Sequence, residues 1–167
     1  MFDTSHLHPM IVHFPIALTM VGLLFEILGV AIKKEMFSKA GFILLLLGTA
    51  GIVAAYFSGD FAGEGVSEAG ALGAALETHE SAAILAMWLL IATAVVRTTL
   101  VVFKKYNGFL RLLPLTLFLI ATAAVARTGY FGGELVYKHA AGVQLDLGFG
   151  ADAQSAPSEQ SAPSDED

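Results

Sequence analysis

Four long apolar runs separated by short polar breaks organise the 167-residue chain. They span about 9–32, 36–59, 81–103 and 109–131, each long enough for the roughly 20 helical residues that cross a bilayer core of about 30 Å. In lipid, backbone groups must be satisfied within their own segment, so each run is expected to be an α-helix. The expected fold is all-α, a four-transmembrane-helix bundle within residues 1–150. Pro9 suits a first helical turn. Pro15 falls in the second turn and is expected to loosen or kink the start of the first helix, whereas Pro114 lies close enough to the start of the fourth to be tolerated. Residues 151–167 are low-complexity, acidic and without apolar anchors. They cannot bury enough surface to offset their ordering entropy, so this tail is expected to be disordered.

The runs repeat in pairs. Adding 71 to His8 gives His79, to Glu26 gives Arg97, and to Lys33-Lys34 gives Lys104-Lys105. In the second half of each unit the offset becomes 74: Tyr56-Phe57 maps to Tyr130-Phe131, Gly59 to Gly133 and Asp60 to Glu134. Two helix pairs of the same orientation in tandem imply a parallel repeat, its axis along the membrane normal.

Composition agrees with a lipid-embedded bundle. Hydrophobic residues make up 56% and charged residues 14%, with a mean hydropathy of +0.70, against about 25% charged in soluble domains. The net charge of -6 gathers partly in the tail, which holds five of the acids, and no basic cluster with interleaved aromatics suggests nucleic acid. The absence of cysteine excludes disulfides, iron–sulfur ligation and thiol catalysis. Asp3 and the lack of a basic leader argue against a cleaved signal peptide, so the first helix is expected to stay.

The charged and polar residues divide between the two ends. Lys33, Lys34, Lys39, Arg97, Lys104, Lys105 and Arg111 flank the first and third connections, seven of the nine Lys and Arg. The positive-inside rule then puts both short connections in the cytoplasm and both termini, with the Gly/Ala-rich segment 60–76, outside. That segment reads as a flexible or partly helical cap. At the helical rise, His8 and His79 stand about 37 Å above Lys33 and Lys104, His13 about 30 Å and Arg127 about 24 Å above Arg111. Ionisable groups at membrane depth are costly and mark function. Glu26 and Arg97, at one depth in the inner half, are expected to form an ion pair. Arg127 is expected to pair with Asp60 or Glu134, and Gly48, Gly51, Gly59 and Gly63 to serve close helix packing.

Histidines at the outer mouth admit three function classes. A b-type haem needs axial imidazoles from two helices and a cation for its propionates, which points to His8 or His13, with His79 and Arg127. A transition-metal site (Zn, Cu or Fe) would draw on His8, His13, His79, Glu134 and His139. Against it, His8 and His13 are five apart, about 140° around a helix rather than on one face. The third class is a non-catalytic subunit or scaffold of a membrane complex. No residue is assigned to catalysis.

The stretch His8-Pro9-x-x-x-His13-Phe14-Pro15-Ile16-Ala17-Leu18 resembles the signature of an uncharacterised bacterial four-helix membrane family, a predicted membrane domain of unknown function. Gly132-Gly133-Glu134-Leu135-Val136-Tyr137-x-His139 resembles that family's closing motif. The resemblance covers about residues 6–145 and leaves the acidic tail outside. Some family members are fused to Rieske-type or cytochrome c domains, which implies an outward-facing redox role in the bacterial inner membrane. This chain has no such domain and no Cys-x-x-Cys-His, so the resemblance implies a separate periplasmic or membrane redox partner.

Overall fold

A computed structural model describes residues 7–63 and 70–141; the acidic tail lies outside the described residues. The described chain is a helical bundle: α1 (Leu7–Ile32), α2 (Glu35–Gly63), α3 (Gly70–Val102), a single 3-10 turn (Gly108–Arg111) and α4 (Leu112–His139). All four helices are long and apolar enough to cross a membrane. Large apolar side chains face outward along them, Met10, Phe14, Val95 and Ile120 among them, as lipid contact requires.

The helices run further than their apolar runs, α3 and α4 most of all. α3 begins at Gly70 rather than near 81, and α4 continues to His139 rather than ending near 131. An apolar run marks only the lipid-crossing part of a helix. Good helix formers such as Ala71, Leu72, Ala74, Ala75, Leu76 and Glu77 carry α3 on beyond it. α1 is continuous through Pro15, whose buried ring sits where a Cβ on Gly51 would come within 3.0 Å.

α1 packs along α2 and α3 along α4, with lighter contact between the pairs, so α1 and α3 face each other across the bundle diagonal. The α1–α2 seam is built on glycine. A Cβ at Gly41 would lie 2.9 Å from both the Glu26 amide nitrogen and the Gly22 carbonyl oxygen, and one at Gly48 would lie 2.8 Å from Thr19 Cγ2. Small residues that let backbones approach are the usual means of helix association where lipid removes the hydrophobic drive. The shared core is small: Leu23, Leu45, Ala86, Leu90, Ala94, Phe118, Ala121 and Val125.

Burial reproduces the tandem repeat and corrects its register. Buried Pro15, Thr19, Gly22, Leu23 and Glu26 of α1 correspond, 71 residues on, to buried Ala86, Leu90, Thr93, Ala94 and Arg97 of α3. For α2 and α4 the matching offset is 73 rather than 74: Gly41 corresponds to Pro114, Leu45 to Phe118 and Gly48 to Ala121, all buried. The aromatic pairs that suggested 74 stand one position out of packing register.

The expected Glu26–Arg97 pair crosses the diagonal, Arg97 Nη2 lying 3.5 Å from Glu26 Oε1 with both side chains about 95% buried (5% and 4% exposed). Ser38 bridges it, accepting from Arg97 Nη2 at 2.9 Å and donating to Glu26 Oε1 at 3.3 Å. Tyr106 from the third connection donates its hydroxyl to the same carboxylate, and the guanidinium also lies over the Phe42 ring.

The glycine seam makes a prediction about sign. Ala is about 1 kcal/mol better than Gly within a helix, but overpacking a tight site costs roughly 1–3 kcal/mol. Gly41→Ala, blocked by backbone atoms, is expected to lower the thermal midpoint in detergent. Gly133→Ala, whose Cβ would meet nothing within 4 Å among the described residues, is expected to raise it. A Gly41→Ala protein as stable as wild type would contradict the α1–α2 packing.

Candidate cofactor site at the histidine end

His8 opens α1 and His79 lies on the third turn of α3, just before its apolar run; both are half-buried. Each ring rests on a glycine of the helix paired with its own. A Cβ on Gly59 of α2 would come within 2.9 Å of His8 Cε1, and one on Gly132 of α4 within 3.2 Å of His79 Cε1. Gly59 and Gly132 are 73 residues apart, the register that burial sets, so the two seats are repeat-related.

The hydrogen bonds admit the same tautomer in both rings. His79 Nδ1 lies 3.2 Å from the Thr128 carbonyl oxygen, which can only accept, so Nδ1 carries the proton. His8 Nδ1 lies 2.9 Å from Ser58 Oγ, which also lies 2.9 Å from the Ala55 carbonyl; with the hydroxyl proton directed to Ala55, Nδ1 of His8 donates to Ser58. In that tautomer Nε2 keeps its lone pair in each ring. An Nδ1–H bond to backbone or hydroxyl oxygen is the usual device that orients a histidine for ligation through Nε2. The differing acceptors follow from sequence: in the packing register Phe131 stands where α2 has Ser58, leaving His79 a carbonyl instead of a hydroxyl.

Other sequence candidates fall elsewhere. His13 is exposed, and its Nδ1 bonds to the Pro9 carbonyl one turn back on its own helix. Five residues from His8, it turns to a different face of α1. Arg127 forms no ion pair among the described residues; the expected partner Glu134 is held by Lys138 and by the Tyr130 hydroxyl at 3.2 Å. The Arg127 guanidinium lies 4.9 Å from the Phe131 ring centroid and lines a surface cleft of about 520 Å³ beside Thr78 and Ser81, on the α3 turn that carries His79. His139 is half-buried at the end of α4. Among the described residues no three His, Asp or Glu side chains gather closely enough to hold a metal ion.

Sequence reading missed the supports, Ser58, Gly59 as a histidine seat, Thr128 and Gly132. Only the i, i+73 relation of the two glycines could have shown them, and that relation was hidden behind the better-matched aromatic pairs.

The family model described as "Predicted membrane protein (DUF2231)" matches residues 4–145, and the chain belongs to that family. Comparison with curated proteins and with solved structures returned no match.

Proposed function

We propose that this member of the family binds a b-type haem through His8 and His79 and serves electron transfer at the outer face of a bacterial inner membrane. The observation that carries the reading is the matched pair of Nδ1 contacts. Two imidazoles on facing helices each commit Nδ1 to an oxygen and leave Nε2 open, the donor set that bis-histidine axial ligation uses. When bound, haem supplies one-electron chemistry at a potential set by its axial ligands and burial. The chain's own residues hold and orient: Ser58 and Thr128 fix the rings, and Gly59 and Gly132 keep side chains away from them. Arg127, one residue before the carbonyl that anchors His79, offers propionates a cation.

A metal ion bound by protein alone would need a third donor, and the described residues gather none beside the histidines. The basic connections would face the cytoplasm and the histidine end the outside, where a separate redox protein would exchange electrons.

The test is a reduced-minus-oxidised absorption spectrum of protein purified in mild detergent. An α-band of a low-spin b-type cytochrome is the expected result. No α-band, even after growth with added haem precursor and reconstitution with haem, rejects the reading, and metal analysis of the same sample then asks whether an ion occupies the histidines instead.

A further inference from the structure

We propose that the cleft at the basic end binds a phosphate group, carried by an anionic lipid headgroup or free in solution. The cleft has a volume of about 770 Å³ and lies at the opposite end of the bundle from the histidines. Five cationic side chains line it: Lys33, Lys39, Arg97, Lys104 and Arg111. One carboxylate, Glu35, faces it, and Lys39 engages that group at 2.9 Å; Glu26 stands behind, bound to Arg97. The lining is strongly positive, as basic pockets between membrane helices that hold lipid phosphates are.

Arg97 gives the cleft more than surface charge. Its side chain is 5% exposed, and while Nη2 meets Glu26 and Ser38 and the guanidinium stacks on the Tyr106 ring, Nε and Nη1 are buried with no hydrogen-bond partner among the described residues. Unpartnered buried donors on a cation are costly, and an anion reaching the back of the cleft would relieve that cost. Guanidinium and ammonium groups together form charge-assisted bonds to phosphate oxygens. Access from the bilayer is open, since exposed Val101 lines the cleft and runs on into exposed Val102 and Phe103.

Lys33 and Lys104 permit a test that spares the fold. Both are repeat-related and adopt left-handed backbone, with φ of 58° and 56°, which Asn tolerates well. Lys34 and Lys105, their chain neighbours, do not line the cleft. The protein is placed in phosphatidylcholine nanodiscs, and its thermal midpoint is read with added inorganic phosphate, or with a fifth of the lipid replaced by phosphatidylglycerol. Wild type is expected to gain about 3 °C or more in at least one arm. A gain with phosphatidylglycerol alone assigns a lipid headgroup; a gain with inorganic phosphate assigns a free anion site. The gain should vanish in the Lys33→Asn/Lys104→Asn double variant and persist in Lys34→Asn/Lys105→Asn, which loses the same charge. No gain in either arm, or equal loss in both double variants, overturns the proposal. The outcome is independent of whether haem is bound.

Discussion

Glu26→Ala is expected to destabilise the bundle by about 3–5 kcal/mol, the usual cost of removing one partner from a buried ion pair. Arg97→Ala should cost less. A carboxyl left alone in a dry site can take up a proton and become neutral, still accepting from Ser38 and bonded to Tyr106, whereas a guanidinium left alone stays charged. The pair also joins α1 to α3 across the diagonal, where direct backbone contact is slight, so its loss loosens the two halves against each other. Replacing both partners by apolar residues, Glu26→Leu with Arg97→Met, should recover most of the stability, because no charge is then buried. A double-mutant cycle on detergent unfolding midpoints measures the coupling. Additive effects of the two Ala substitutions would show that the groups do not interact and would contradict the geometry.

That pair was legible in the sequence because one rule, the 71-residue offset, places Glu26 and Arg97 at one depth on helices of the same direction. The rest of the cluster was not. Ser38 is an ordinary polar residue near a helix start, and Tyr106 lies in a short connection beyond two lysines; only packing brings each to the carboxylate. The four helices were legible for a stronger reason: apolar length in lipid leaves few alternatives to a helix. Their ends were less so, because hydropathy reports the membrane and not the hydrogen-bonded helix, and so α3 gained its first three turns. The repeat shows the same split. Side-chain identity aligned Tyr56-Phe57 with Tyr130-Phe131, while the burial of Leu45 and Phe118 follows the glycine seats one residue away. Aromatics at a membrane surface are loosely constrained in register, but a close-packed glycine is not.

Substituting His8 or His79 is expected to abolish the α-band, and substituting His13 to leave it intact. All three residues are histidines at one mouth; depth matches His8 to His79, with His13 about 7.5 Å lower but expected to be less exposed than His8. Hydrogen bonding separates them. His13 spends its Nδ1 on its own helix and is exposed, whereas His8 and His79 are tied to neighbouring helices with Nε2 free. Loss of signal in an Ala variant alone would not prove ligation, since each ring also fills the space over a glycine. His8→Gly and His79→Gly are therefore the sharper variants: added imidazole should restore a low-spin spectrum in each if the missing ring was an axial ligand. A structural defect would not be mended by a small diffusible base. If His13→Ala lost the band while His8→Gly kept it, the ligand would be the exposed histidine, and the seats over Gly59 and Gly132 would be packing alone.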